Sequence, residues 1–112
     1  TGNAVVNPPF YISAANAKIS NGPNGGVQVA IKNNGGEDYQ IQSVVISNCG
    51  TYTGAPDSIA ADAVATVTVE CDVANALTAG SNIKGDITIT YRKVGIAVDL
   101  TSTGTIAQKV VA

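Results

Sequence analysis

The sequence predicts an all-β fold made of a single domain. Three observations support this prediction: apolar and polar residues alternate with period two in several segments, turn residues separate these segments, and the composition favours strands. Only 4% of the 112 residues are aromatic, Met and Trp are absent, and Val, Ile and Ala supply most of the apolar content. The β-branched members of this set pack well on pleated sheets and disfavour helices. The length is that of one ordinary domain.

Period-two alternation predicts four strands. In each, every second residue is apolar and the intervening residues are polar or small, as expected for half-buried antiparallel strands with one wet face. The alternating segments are residues 27–32, 66–71, 86–91 and 96–101. Two further strands are expected at the ends of the chain, an edge strand at 10–12 after Pro8-Pro9 and a last strand at 105–111.

The segment 39–49 predicts a strand with an irregularity inside it. Tyr39 and Ile41 share one phase of the alternation, whereas Val44 and Ile46 share the other. A β-bulge, or a strand that passes from one sheet to another, produces such a change of phase.

Turn residues divide the predicted strands. Glycine and asparagine tolerate the backbone conformations that tight turns require, and they cluster in segments 21–26 and 33–36. Segments 93–95 and 102–104 are short enough to be hairpin loops. Residues 72–79 predict one short helical turn, which Asp72 is placed to cap and Gly80 to end. About seven or eight short strands with turns between them indicate an immunoglobulin-like antiparallel β-sandwich.

The charge content argues against several partners. Charged residues make up 12% of the chain, the formal net charge is −2, and the six Lys and Arg residues are scattered along it. A nucleic-acid-binding domain needs a basic stripe that neutralises phosphates, so no nucleic-acid partner is expected. A polybasic membrane patch is missing for the same reason.

The two cysteines bear on whether the protein is found in an oxidising or a reducing compartment. Cys49 and Cys71, which are 22 residues apart, form an even pair in a small, charge-poor domain, which favours a disulfide and an extracellular or cell-surface location. The alternative is that both are reduced and serve as small hydrophobic residues.

Residues suited to catalysis are scarce, and we expect no enzyme activity and no cofactor. The chain has no histidine, which removes the commonest general base and the histidine-dependent nucleophile and zinc motifs. Asp57, Asp62, Asp72 and Asp86 could pair for glycoside hydrolysis or bind calcium at a loop, but their spacing matches no EF-hand. Solvated charges are the favoured interpretation, so no metal site is predicted.

The tyrosines offer one candidate recognition residue. Tyr39 and Tyr91 fall on the apolar phase of their strands and are expected in the core. Tyr52 follows Cys49 in a loop of small and polar residues, and it is the tyrosine expected to be exposed for recognition, for example of a glycan.

The order of these features resembles the extracellular head domain of archaeal type IV pilin-like proteins, including archaellins and archaellum-associated proteins. The resemblance is carried by residues 26–35, 46–49, 67–71, 79–80, 84–91 and 105–111. It implies a β-sandwich head on an N-terminal hydrophobic helix that forms the filament core. That helix is absent from this sequence, and contact with a membrane is expected only through it.

The sequence therefore divides into an N-terminal extension, residues 1–9, and a β-sandwich domain, residues 10–112. Within the extension, Ala4, Val5 and Val6 are a helix remnant, part of a linker, or a donor strand that completes the sandwich of a neighbouring subunit. The leading functional hypothesis is a structural subunit of an extracellular filament whose partners are copies of itself. The alternative is a module that binds the cell-envelope S-layer or a surface glycan, such as an appendage-anchoring protein.

Overall fold

Strands supply almost all the regular structure of the chain. The computed structural model describes residues 3–6, 9–52 and 57–112, with the backbone alone for residues 3–5 and 57. The strands are β1 (Asn3–Val6), β2 (Phe10–Lys18), β3 (Gly26–Asn33), β4 (Tyr39–Ile46), β5 (Gly50–Tyr52), β6 (Asp57–Ile59), β7 (Val64–Glu70), β8 (Asn82–Lys93) and β9 (Leu100–Val111). The predicted all-β class is confirmed.

The strands follow one hydrogen-bonded path in the order β5-β4-β8-β9-β2-β3-β7, with β6 paired to β4 and β1 paired to β9. Most pairings are antiparallel, but β2 runs parallel to the end of β9, where Ala17 and Lys18 meet Val110 and Val111. The result is a mostly closed sheet. It gives the all-β class that the sequence predicts.

A disulfide closes the path where its two ends meet. Cys49 lies just before β5 and Cys71 just after β7, and the two are disulfide-bonded. Beside them the N–H of Asp72 donates to the carbonyl oxygen of Cys49 over 2.8 Å. A Cβ at Gly50 would overlap the backbone carbonyl of Glu70, so β5 approaches β7 more closely than another residue type allows. We call this junction the seam.

The change of phase in β4 is a β-bulge, which is one of the two predicted explanations. The register with β8 shifts between Ile41 and Ser43, so Gln42 is the extra residue. Because of this shift Tyr39 and Ile41, on one side of the bulge, and Val44 and Ile46, on the other, are all buried.

The core is aliphatic with one aromatic cluster. Val27, Val29 and Ile31 of β3 are fully buried, as their alternation predicts. At one end of the molecule the rings of Phe10, Tyr39 and Tyr91 pack edge to face, with centroids 4.9 to 5.7 Å apart. Both tyrosines predicted to be core residues are therefore in the core, and edge-to-face packing of this kind is favourable beyond area burial.

Asn33 is a buried polar residue that the sequence did not single out. It is fully buried at the end of β3. Its side-chain amide donates to the carbonyl oxygens of Glu37 (2.6 Å) and Ile59 (3.1 Å), and its Oδ1 accepts from the N–H of Gly35 (2.9 Å). It thereby fixes the connection between β3 and β4 against β6.

Two predictions at the end of the chain are wrong. Residues 96–99 form no strand, and the predicted turn at 102–104 lies inside β9, which runs unbroken from Leu100. Gly104 faces inward opposite Ile87 on one side and Val6 on the other. A glycine inside a strand can mark close packing rather than a turn, and here two branched side chains lie next to it.

The helical turn near 72–79 is a single 3₁₀ turn, Val73–Asn75. Asp72 precedes it, but its side chain makes no capping hydrogen bond, contrary to the role expected for it. Another 3₁₀ turn, Ile19–Asn21, follows β2. Within the part of the chain that the structure describes, no helix is long and apolar enough to cross a membrane.

The N-terminal segment forms part of the sheet. Residues 3–6, which include Ala4, Val5 and Val6, form β1 and pair antiparallel with β9 of the same chain, from Asn3 opposite Ala107 to Val6 opposite Gly104. Val6 is half-buried and packs against the core. Residues 1, 2, 7 and 8 of the predicted extension lie outside the described residues.

Candidate functional site

The carboxylates considered for catalysis or calcium binding lie on the surface wherever the structure describes their side chains. Asp62, Asp72 and Asp86 are exposed, and the side chain of Asp57 lies outside what the structure describes. Among the described residues no three acidic or cysteine side chains are grouped so that they could hold a metal ion. The candidate functional features are therefore surfaces.

The most regular surface is the outer face of β4, β5, β8 and β9, which we call the threonine face. Residues directly opposite in antiparallel strands lie on the same face of the sheet. The register aligns Thr88 with Thr103, Thr90 with Thr101, and Asp86 with Thr105. It continues across β4, where Val45 lies beside Thr88 and Ser43 beside Thr90, and reaches Thr51 of β5 beside Val45.

The geometry of strands fixes the spacing of this surface. Side chains on one face repeat every second residue, about 6.8 Å along a strand, and neighbouring strands lie about 4.8 Å apart. The side chains between them point inward, since Ile87, Ile89 and Tyr91 are buried. The threonine face is thus a grid of hydroxyl and small apolar groups backed by a packed core.

Charges on this side of the molecule lie at the borders of the threonine face. Lys84 and Asp86 lie at the end towards the seam, and Arg92, which pairs with Asp99, lies at the other end. Between these borders the cross-strand rows contain only Thr, Ser and Val. A surface of this composition loses less solvation energy on burial than a charged one.

A second outer face, on β2, β3 and β7, carries amides that bond one another. Asn21 donates to Asn16 (2.9 Å), Asn16 to Gln28 (3.3 Å), and Gln28 to Thr68 (3.3 Å). Thr66 is exposed on the same strand as Thr68. The side chains of this second face form a continuous hydrogen-bonded ladder.

The connection between β8 and β9 is an exposed apolar tip. Val94, Ile96, Val98 and Leu100 are each 41 to 57% exposed. The tip is anchored at its base, where the N–H of Val94 donates to the carbonyl oxygen of Asp38 (3.3 Å). We call these four residues the apolar tip. Clustered exposed apolar side chains are typical of surfaces that contact a partner.

An ion pair holds the base of the apolar tip. Lys93 Nζ lies 2.9 Å from the Glu37 carboxylate, on the connection between β3 and β4. The hydrogen bond to Glu37, together with the charge of that carboxylate, raises the pKa of Lys93 above its ordinary value. The pair links two neighbouring connections, the one between β3 and β4 and the one between β8 and β9.

The predicted recognition residue Tyr52 occupies a different environment from the one expected. It lies on β5 opposite Val44, a fully buried residue, and it is half-buried against the core. The exposed tyrosine is Tyr11 of β2, at 53%. Tyr11 adjoins a shallow depression that is also lined by Val6, Pro9, Asn34 and other residues of this end of the molecule.

Sequence reasoning identified only part of the threonine face. Thr88 and Thr90 are on the wet phase of a predicted strand, and the structure places them on the threonine face. The hydroxyls of 101, 103 and 105 were not grouped with them, because residues 102–104 predicted a turn. The alternation of Thr101, Thr103 and Thr105 across Gly104 was the signal that could have joined them to one strand.

No family model, no curated protein and no solved structure matches this chain.

Proposed function

We propose that this chain is the head domain of a non-enzymatic structural subunit of an extracellular filament, similar to archaeal type IV pilin-like proteins. The threonine face carries the proposal. A hydroxyl group both donates and accepts hydrogen bonds, so a grid of hydroxyls can pair with a neighbouring copy in more than one arrangement. Because the centre of the face is uncharged, burying it between subunits does not require charged groups to lose their water.

The disulfide supports an extracellular location for this subunit. Disulfides persist in oxidising environments and are rare where thiols are kept reduced. Cys49 and Cys71 are buried and bonded to each other at the seam. A crosslink that holds together the two ends of the sheet suits a protein that must stay folded outside the cell.

The pilin-like resemblance falls on the structural framework of the domain. Its segments correspond to β3, the end of β4 with Cys49, β7 with Cys71, β8 and β9. We propose that the mostly closed sheet is a variant of the immunoglobulin-like sandwich that the resemblance implies, with the seam as the place where its two halves meet.

The experiment is electron microscopy of the native gene product, with and without a charge on the threonine face. Thr101→Lys adds a cation to the exposed edge of this face, and we expect it to prevent filaments from forming. Thr66→Lys is the matched control, because it makes the same change at an exposed threonine of β7, outside the threonine face. Circular dichroism should show both variants folded. A native gene product that forms no filaments would refute the proposal.

A second candidate function rests on the apolar tip. We propose, as the alternative, a module that anchors an appendage by binding the S-layer or a surface glycan. Clustered exposed Val, Ile and Leu side chains at one end of the molecule suit a single contact with a partner. Ile96→Ser with Val98→Ser should then abolish binding to isolated cell envelopes. If that variant and the wild type bind envelopes equally, this alternative is wrong.

A further inference from the structure

Strand β9 has one edge that is shared by two different strands. On its first edge β9 pairs with β8 along residues 100–109. On its other edge β1 covers residues 104–107 and β2 covers only 110–111. Strand β1 therefore fills the position between β9 and the first part of β2, and without it the backbone of β9 at 104–107 would be an open edge.

Strand β1 lies against β2 as well as β9, but it forms a ladder with only one of them. It has four residues, and its register is with β9 alone. The body of the domain is anchored downstream of it, because the carbonyl oxygen of Pro9 accepts a hydrogen bond from the N–H of Asn34 (2.9 Å). The fold of β2 and β3 at this end is thus fixed by contacts that do not involve β1.

These observations define a strand-shaped site and a segment that fits it. An open strand edge is a template for the addition of a strand, and main-chain hydrogen bonds supply much of the affinity. The same segment in a second copy would make the same ladder, so an exchange conserves the hydrogen bonds. Because β1 pairs with residues 104–107 within the chain, β1 of another copy is complementary to the same residues.

We infer that β1 is exchanged between copies, so that Asn3–Val6 of one subunit pairs with residues 104–107 of the next. This inference rests on the proposed filament function and names the contact that links subunits. Donor and acceptor are different surfaces, so the contact is head-to-tail, and it generates an open chain of subunits when the rotation between them does not close a ring.

Disulfide trapping tests the exchange. Val5 and Thr105 are register partners, and directly opposite residues lie about 5 Å apart, within reach of a disulfide. A chain carrying both Val5→Cys and Thr105→Cys should give a ladder of crosslinked multimers on a non-reducing gel. A mixture of Val5→Cys chains with Thr105→Cys chains should give the crosslinked pair.

The control replaces the acceptor with Thr101→Cys, four positions away on the same strand and face. We expect about tenfold less crosslinked product from Val5→Cys with Thr101→Cys, because only the register partner has a high effective concentration. Equal crosslinking at both positions would overturn the inference, as would a crosslinked dimer with no larger species.

Electron microscopy of the native gene product, carrying the same two cysteines, separates this inference from the proposed function. Filaments that contain intermolecular crosslinks between positions 5 and 105 support both. Filaments in which the crosslink forms only within single chains overturn strand exchange and leave the filament proposal standing. If no filaments form and the crosslink is only intramolecular, both are wrong.

Discussion

Asn33 provides the sharpest test of how the domain is held together. We expect Asn33→Leu to destabilise the fold, although leucine has nearly the same size and shape. The substitution removes three side-chain hydrogen bonds, to Glu37, Ile59 and Gly35. The carbonyl oxygen of Ile59 then loses the amide donor of Asn33. Because this position is buried, water cannot easily take the place of that donor.

The expected loss follows from these contacts. Each hydrogen bond contributes about 1 kcal/mol net, so three of them amount to about 3 kcal/mol. A chain of 112 residues has an unfolding entropy that converts 1 kcal/mol into roughly 4 °C of melting temperature. We therefore expect Asn33→Leu to melt about 12 °C below the wild type.

Urea denaturation followed by far-ultraviolet circular dichroism, together with calorimetry, measures this loss. Asn34→Leu is the matched control, because Asn34 is the neighbouring exposed asparagine and the substitution is the same. Surface substitutions usually change stability by less than about 0.5 kcal/mol. A loss below about 1 kcal/mol for Asn33→Leu would show that leucine packing compensates for the hydrogen bonds and that the reasoning is wrong.

Three further predictions concern the seam and the aromatic cluster. Replacing Cys49 and Cys71 together by Ala should lower the free energy of unfolding by roughly 3 kcal/mol in calorimetry, because the loop they close spans 22 residues; unchanged melting would contradict this. Gly50→Ala should cost about 1 to 3 kcal/mol in urea denaturation, since its Cβ would overlap the Glu70 carbonyl, and wild-type stability would exclude that overlap. Burial raises the pKa of Tyr91, so the unfolded state loses this proton first, and stability should fall as the pH rises above about 10. In denaturation experiments from pH 8 to 11, Tyr91→Phe should reduce the loss of unfolding free energy with pH. An equal loss in the variant and the wild type would argue against burial of Tyr91 as the cause.

The period-two pattern predicted most of the framework because it reports directly on burial. Val27, Val29 and Ile31 alternate in sequence and are all fully buried, and the change of phase between Ile41 and Val44 marks the bulge. These features depend only on which side of a strand each residue occupies, which is a local property.

The pattern failed where pairing depends on distant residues. Residues 96–101 alternate like a strand, yet 96–99 form none and follow a turn at Gly95, whose φ is 86°. The pattern shows that a segment favours a strand, but not that a partner strand is available. Likewise, Gly104 favours a turn locally, whereas in the structure it lies inside β9 and pairs with Ile87 and Val6.

The surfaces were less predictable than the core. The threonine face depends on the registers of four strands, and a single sequence does not specify register between strands that are far apart in the chain. Tyr52 was expected in a loop, but the pairing of β5 with Val44 turns it towards the core. Asn33 was assigned to a turn. Its buried role depends on its partner Ile59, which lies 26 residues away and cannot be recognised from the local sequence.

The position of β9 has a consequence for how the chain folds. It is the last strand in sequence, yet it pairs with β1, the first strand, as well as with β2 and β8. Contacts between residues so distant in sequence close large loops and slow folding to milliseconds or longer. During synthesis the sheet cannot be completed until β9, Leu100–Val111, has left the ribosome. The pairs β2–β3, β3–β7 and β4–β8 need only earlier residues, whereas the closed path is completed by the last strand, β9.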